Sequence, residues 1–183
     1  MDKTALGKTQ IFYGNGKGKT TSALGTAIRA LGNEYKVHLI QFMKNGANSL
    51  KKDQIPGEIK ALSKFDNFSL KRFGLGEWYV KGKNDKEHKE SVNEAFNHLN
   101  ESLTKEYNIV IADEILYAVQ LGLLDESKVI DLIKNKPENK ELILTGSHIA
   151  LPNIFTLADL VTEIKKVKHP YDKGIKARKG IEY

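Results

Sequence analysis

No cysteine occurs among the 183 residues. That absence excludes disulfides, thiolate catalysis and cysteine-ligated zinc or iron–sulfur centres, so any unusual metal chemistry has to arrive with a ligand. Long apolar runs are missing too. None approaches the ~20 residues of a membrane-spanning helix, and the start Met1-Asp2-Lys3-Thr4 lacks the charged-then-apolar pattern of a secretory leader. The expectation is a cytoplasmic protein without membrane contact. Internal repeats, low-complexity stretches and convincing linkers are also absent, and residues 1–183 fit one domain. Among His38, His88, His98, His148 and His169 no pair has metal-ligand spacing. His38 reads as a strand residue, and His88 and His98 as surface residues of a helix. No Ser-His-Asp arrangement can be argued.

What is present is an ordinary globular balance, 40% hydrophobic and 28% charged, which fits neither disorder nor a membrane protein. The net charge of +6 is scattered, and its densest cluster is Lys165, Lys166, Lys168, Lys173, Lys176, Arg178 and Lys179. Such a cluster suits a polyphosphate at least as well as nucleic acid. Without a recognisable nucleic-acid motif, a DNA- or RNA-binding module is a minor reading.

The most informative stretch is Gly14-Asn15-Gly16-Lys17-Gly18-Lys19-Thr20-Thr21. It follows the apolar Ile11-Phe12-Tyr13 and opens an amphipathic run with Ala23, Leu24, Ala27, Ile28 and Leu31. A loop between strand and helix places unpaired amides and the positive end of the helix dipole around an anion. Glycines allow close wrapping, Lys19 supplies a point charge to the phosphates, and the Thr20 hydroxyl suits Mg²⁺. Only three residues separate Gly14 from Gly18, whereas the common phosphate loop has four at that place.

Periodicity predicts strands at 9–13, 36–42, 68–73, 107–112, 142–144 and 159–164. Helices are expected at 18–31, weakly up to residue 64 around Pro56, then at 85–105, 116–121, 126–136 (capped by Asp125) and 154–157. Strands alternating with helices imply an α/β fold whose six-stranded sheet is mostly parallel and covered on both faces. Ligands in such folds bind beyond the carboxyl ends of the strands. Asp113 and Glu114 fall there, after the apolar run Ile109-Val110-Ile111-Ala112, as an acidic partner for Mg²⁺ or simply as favourable charge at a helix start. The glycine-rich loop 74–82 displays the single tryptophan, Trp78, beside Tyr79 and near Phe73. Those aromatics either face a flat ligand or cap the core.

With these residues in view the chain resembles the ATP:corrinoid adenosyltransferases of the CobA/BtuR (CobO/CobP) type over nearly its full length. The likeness rests on the short loop 14–21, Phe73-Gly74 with Gly76, Val80-Lys81-Gly82-Lys83, Asp113-Glu114 followed by Leu121-Gly122-Leu123-Leu124, and Leu144-Thr145-Gly146. It closes with Ala158-Asp159-Leu160-Val161-Thr162-Glu163, Val167-Lys168-His169-Pro170-Tyr171 and Lys179-Gly180-Ile181-Glu182, the most diagnostic part. The resemblance implies a P-loop NTPase-like, RecA-like fold. It also implies attack of a Co(I) corrinoid on C5′ of ATP with departure of the whole triphosphate, stabilised by Lys17, Lys19, loop amides and Mg²⁺ on Thr20 with Asp113 or Glu114. Trp78, Tyr79 and Phe73 would form the face that removes the lower cobalt ligand. An electron-donating flavoprotein and a homodimer are implied partners. Thr145-Gly146-Ser147-His148 stands where many members have Thr-Gly-Arg, so either His148 substitutes for the arginine contact or that contact is lost. A conventional P-loop small-molecule kinase or ATPase is the alternative reading.

Overall fold

The strands of the sheet all run in one direction, so their carboxyl ends form a single edge. The computed structural model describes residues 6–44, 55–77 and 79–182. Six strands, β1 (Thr9–Tyr13), β2 (Val37–Gln41), β3 (Phe68–Arg72), β4 (Ile109–Asp113), β5 (Glu141–Thr145) and β6 (Leu160–Glu163), lie in the order β3-β2-β4-β5-β1-β6. Every pairing is parallel, with Gln41 beside Asp113 and Phe12 beside Thr145. Strand ends differ from the sequence expectation by one or two residues, as for Val37–Gln41 against 36–42.

The helices are α1 (Lys19–Leu31), α2 (Gly57–Leu62), α3 (Asp85–Thr104), α4 (Ile115–Gln120), α5 (Glu126–Asn135) and α6 (Pro152–Phe155). Because side chains alternate along a strand, β4 sends Ile109 and Ile111 to one face and Val110 and Ala112 to the other. The first face packs on Ala23, Leu24 and Ala27 of α1 and on Ile59 and Leu62 of α2. The second packs on Val92, Ala95 and Leu99 of α3 with Ile115, Val129 and Ile154 of α4, α5 and α6. Strands covered on both sides read as near-continuous apolar runs, with polar residues kept mostly to their ends. That explains the runs in β4 and β5 and contrasts with the edge strand β6, which is exposed along its length.

Two local expectations are corrected. Asp125 holds the N-cap position of α5, but its exposed side chain makes no capping hydrogen bond; the backbone does the work, Lys128 N donating to its carbonyl at 3.1 Å. His88 is buried, not on the surface. It lies four residues before Val92 and so falls on the same buried stripe of α3.

Candidate active site

β1 ends at Tyr13, and the chain then turns through Gly14 (φ 115°) and Gly18 (φ 127°), conformations that an L side chain resists. A Cβ on Gly14 would stand 2.4 Å from the carbonyl oxygen of Ile164, and one on Gly16 2.8 Å from the same atom. The loop is therefore pressed against the exit of β6. Gly16 N donates to Ile164 O (2.8 Å), Gly14 N to Ser147 O (3.0 Å), and Lys166 N to the Asn15 side-chain oxygen (2.9 Å). Asn15 thus fastens the loop from outside. α1 then starts at Lys19 with no side-chain cap and no acidic residue in its first turn. Its first amides and positive dipole end remain directed at the loop, the arrangement that binds anions.

Lys19 folds over this loop, donating to Gly14 O at 2.6 Å and Gly16 O at 3.1 Å. Burial holds its ammonium below the usual lysine range; Glu114 and Asp113 oppose that shift and Lys44 adds to it. Lys17 turns the other way, toward Ile181 O at 3.1 Å and Glu182 at 3.4 Å. The Thr20 hydroxyl donates to Asp113 Oδ1 at 2.8 Å, which leaves the lone pairs of Thr20 pointing away from the carboxylate.

Asp113 is fully buried at the end of β4 and fully subscribed. Thr145 Oγ1 donates to Oδ1 (2.6 Å), Gln41 Nε2 donates to Oδ2 (3.0 Å), and the Lys44 ammonium stands 3.6 Å from Oδ2 and 3.2 Å from Glu114 Oε1. Burial alone would raise the Asp113 pKa, but Lys44 and the three donors hold it below the usual carboxylate range. Against its own burial, Lys44 is pushed above the ordinary lysine value by Asp113 and Glu114. Thr145 serves twice, since its hydroxyl also accepts from Glu114 N at 3.0 Å. Lys44 and Gln41 were not identified from the sequence, and Thr145 entered there only within the Leu144-Thr145-Gly146 likeness, without a role. The available signals were a glutamine closing an apolar strand and a lysine just beyond the carboxyl end of β2.

Backbone strain concentrates here. Met43 (φ 56°), Glu114 (φ 67°) and Ser147 (φ 59°) are left-handed residues with side chains just past β2, β4 and β5. Gly146 (φ 108°) completes the set, because a Cβ there would lie 2.7 Å from Tyr117 N. A cleft of about 370 Å³ opens beside the loop, walled by Lys19, Met43, Lys44, Tyr79, Tyr117 and His148, with Glu77 and Glu114 at its polar margin. Tyr79 meets His88 edge-on at 5.2 Å, while Phe73 packs on His98 at 5.6 Å. Tyr79 therefore reaches the cleft, and Phe73 lies in the packing between β3 and α3. Trp78 lies outside the described residues. His148 stacks obliquely on Tyr117 at 5.1 Å. A larger groove of about 530 Å³ between α3 and α5 contains none of this chemistry.

Among the described residues no three His, Asp or Glu side chains gather as a metal cage. The Thr20 hydroxyl and the Glu114 carboxylate, with Asp113 behind them, instead offer oxygen donors of the kind Mg²⁺ accepts when its remaining ligands are waters and phosphates. No described helix is long and apolar enough to cross a membrane.

Residues 5–183 match the family model for ATP:corrinoid adenosyltransferase BtuR/CobO/CobP. The chain is 34% identical to a corrinoid adenosyltransferase of Escherichia coli (strain K12), a match covering 94% of this chain and 84% of that protein. It is 33% identical to corrinoid adenosyltransferase CobA of Salmonella typhimurium, with the same coverage. A corrinoid adenosyltransferase of Pseudomonas aeruginosa is 32% identical over 94% of this chain and 82% of its own length. In fold, the chain resembles part of the cytoplasmic domain of EssC, with a TM-score of 0.52 at 15% identity over 94% of this chain and 34% of that one.

Proposed function

The chain belongs to the ATP:corrinoid adenosyltransferase family, and on that premise we propose that it transfers the 5′-deoxyadenosyl group of ATP to the cobalt of a corrinoid reduced to Co(I), releasing triphosphate. The observation that carries the reading is the Thr20–Asp113 hydrogen bond, which ties the phosphate loop to the acidic edge of β4 beside an aromatic-walled cleft. The cobalt electron pair forms the new bond to C5′ while the C5′–oxygen bond breaks toward the triphosphate. No protein nucleophile or general base is needed, so the residues act by charge and position.

Lys19 and the amides opening α1 bind and stabilise the departing polyphosphate. Asp113 accepts the hydrogen bond of the Thr20 hydroxyl and so orients its lone pairs. Mg²⁺ would be held by Thr20 and Glu114 with Asp113 behind them, and when bound it neutralises charge on the triphosphate oxygens. Tyr79, Met43 and Tyr117 line the cleft with apolar surface that excludes water from the reacting cobalt. His148 lines that wall against Tyr117 and would supply the contact that an arginine makes in many members of the family. A flavoprotein electron donor and a homodimer complete the reading.

The test is anaerobic incubation with Mg·ATP and chemically reduced cobalamin or cobinamide, following the visible spectrum and the released phosphates. A light-sensitive adenosylcorrinoid with stoichiometric triphosphate is expected. ADP release with no cobalt–carbon adduct from either corrinoid would overturn the proposal in favour of a kinase or ATPase.

A further inference from the structure

The motif Lys179-Gly180-Ile181-Glu182 carries family likeness but has no part in the chemistry above. In the structure it returns to the phosphate loop. The Glu182 carboxylate is fixed by Arg178, which donates from its backbone N (2.8 Å), Nε (3.1 Å) and Nη2 (3.0 Å). Against this fixed anion and the Ile181 carbonyl lies the ammonium of Lys17. The side chain of Glu182 is 17% exposed and that of Lys17 is 48% exposed, so the carboxylate is the anchored partner and the lysine the movable one. Asn15, two residues away, holds Lys166 N, and Gly16 N donates to Ile164 O, so the same loop is gripped by the segment after β6 at three points.

We propose that Glu182 is a positioning residue of the nucleotide site, an internal anion that competes with the polyphosphate for Lys17 and thereby assists its release. Of the two loop lysines, Lys17 reaches this segment, whereas Lys19 points inward to the loop carbonyls. A polyphosphate entering between them offers Lys17 a denser anion than a single carboxylate. When the polyphosphate leaves, Glu182 is already in place to receive the ammonium, because Arg178 has ordered it. The proposal rests on the reading of the loop as the triphosphate site, but it does not depend on which bond of ATP is broken.

The test is a double-mutant cycle read by calorimetric binding of ATP and of inorganic tripolyphosphate to the full chain. Glu182→Gln should tighten both ligands by about 1.5-fold to fivefold, the range expected for an exposed ion pair, and slow tripolyphosphate dissociation in stopped flow. Glu182→Asp, which keeps the charge, should stay near the unsubstituted protein. In a Lys17→Met background the Glu182→Gln gain should vanish. Unchanged or weaker binding in Glu182→Gln, or an equal gain with and without Lys17, would overturn the proposal. ADP as the product of turnover, with the cycle intact, would remove the adenosyl-transfer reading and leave this one standing.

Discussion

Lys19 and Asp113 divide the work of the site between charge and order. Lys19 is the cation aimed into the loop, so Lys19→Ala should lower adenosyl transfer by on the order of 10²- to 10³-fold, as loss of one preorganised electrostatic group does. Far-UV circular dichroism should be unchanged, because the residue opens α1 without being part of either core. Asp113 is different, being buried and paired with Lys44. Asp113→Ala should destabilise the fold by about 3 kcal/mol in urea melts, toward the low end for a broken buried pair because Lys44 reaches partial exposure. Adding Lys44→Met should recover part of that loss, since the stranded cation is then gone. The acidic pair was legible from the sequence as two carboxylates after an apolar run. The contacts of Lys44, Gln41 and Thr145 with Asp113 were not, because they arise only through the lateral pairing of β2, β4 and β5, which local spacing does not encode.

At the scale of elements, the β2–α3 contact carries a pH response. His38 in β2 has Nε2 2.9 Å from Nε2 of His98 in α3 and Nδ1 2.6 Å from the Ser69 hydroxyl, and its ring stacks on Tyr107 at 4.5 Å. Only one proton fits between the two facing nitrogens. Burial, aided by His98 and Lys105 and opposed by Ser69, lowers the His38 pKa from 6.5 to about 4, and His98 is lowered too. The unfolded chain therefore binds more protons than the native one between those values. Stability should be full above about pH 6.5 and fall steadily as the pH drops toward 4. Urea midpoints measured across that window should show the slope, and His38→Gln should flatten it. The helices and strands themselves were readable because buried strands and amphipathic helices advertise different periods. His88 was misplaced because a polar residue on an apolar stripe looks, letter by letter, like a surface residue.

At the scale of the whole molecule, the exposed edge strand β6 carries Leu160 and Val161, and the segment after it adds Val167, Tyr171 and Ile181 to the surface. An uncovered strand edge with apolar residues favours association. Sedimentation equilibrium should give twice the chain mass of 20.5 kDa if the proposed homodimer forms, and the chain mass itself if it does not. The parallel direction of the sheet was legible from alternating elements, but the strand order was not, because each crossover of this length reaches more than one neighbouring position.

That order has a consequence for the protein's birth. β1 leaves the ribosome well before both its neighbours, because β5 and β6 come from residues 141–163, and its loop is fastened to Ser147 and Ile164. The loop after β1, proposed above to hold the triphosphate, must therefore wait, unpaired, until Ile164 has been synthesised, so ATP cannot act as an early folding template. Pairings this distant in sequence slow folding. Nascent chains halted after residue 140 should fail to retain ATP, and those halted long enough to expose Ile164 outside the exit tunnel should retain it.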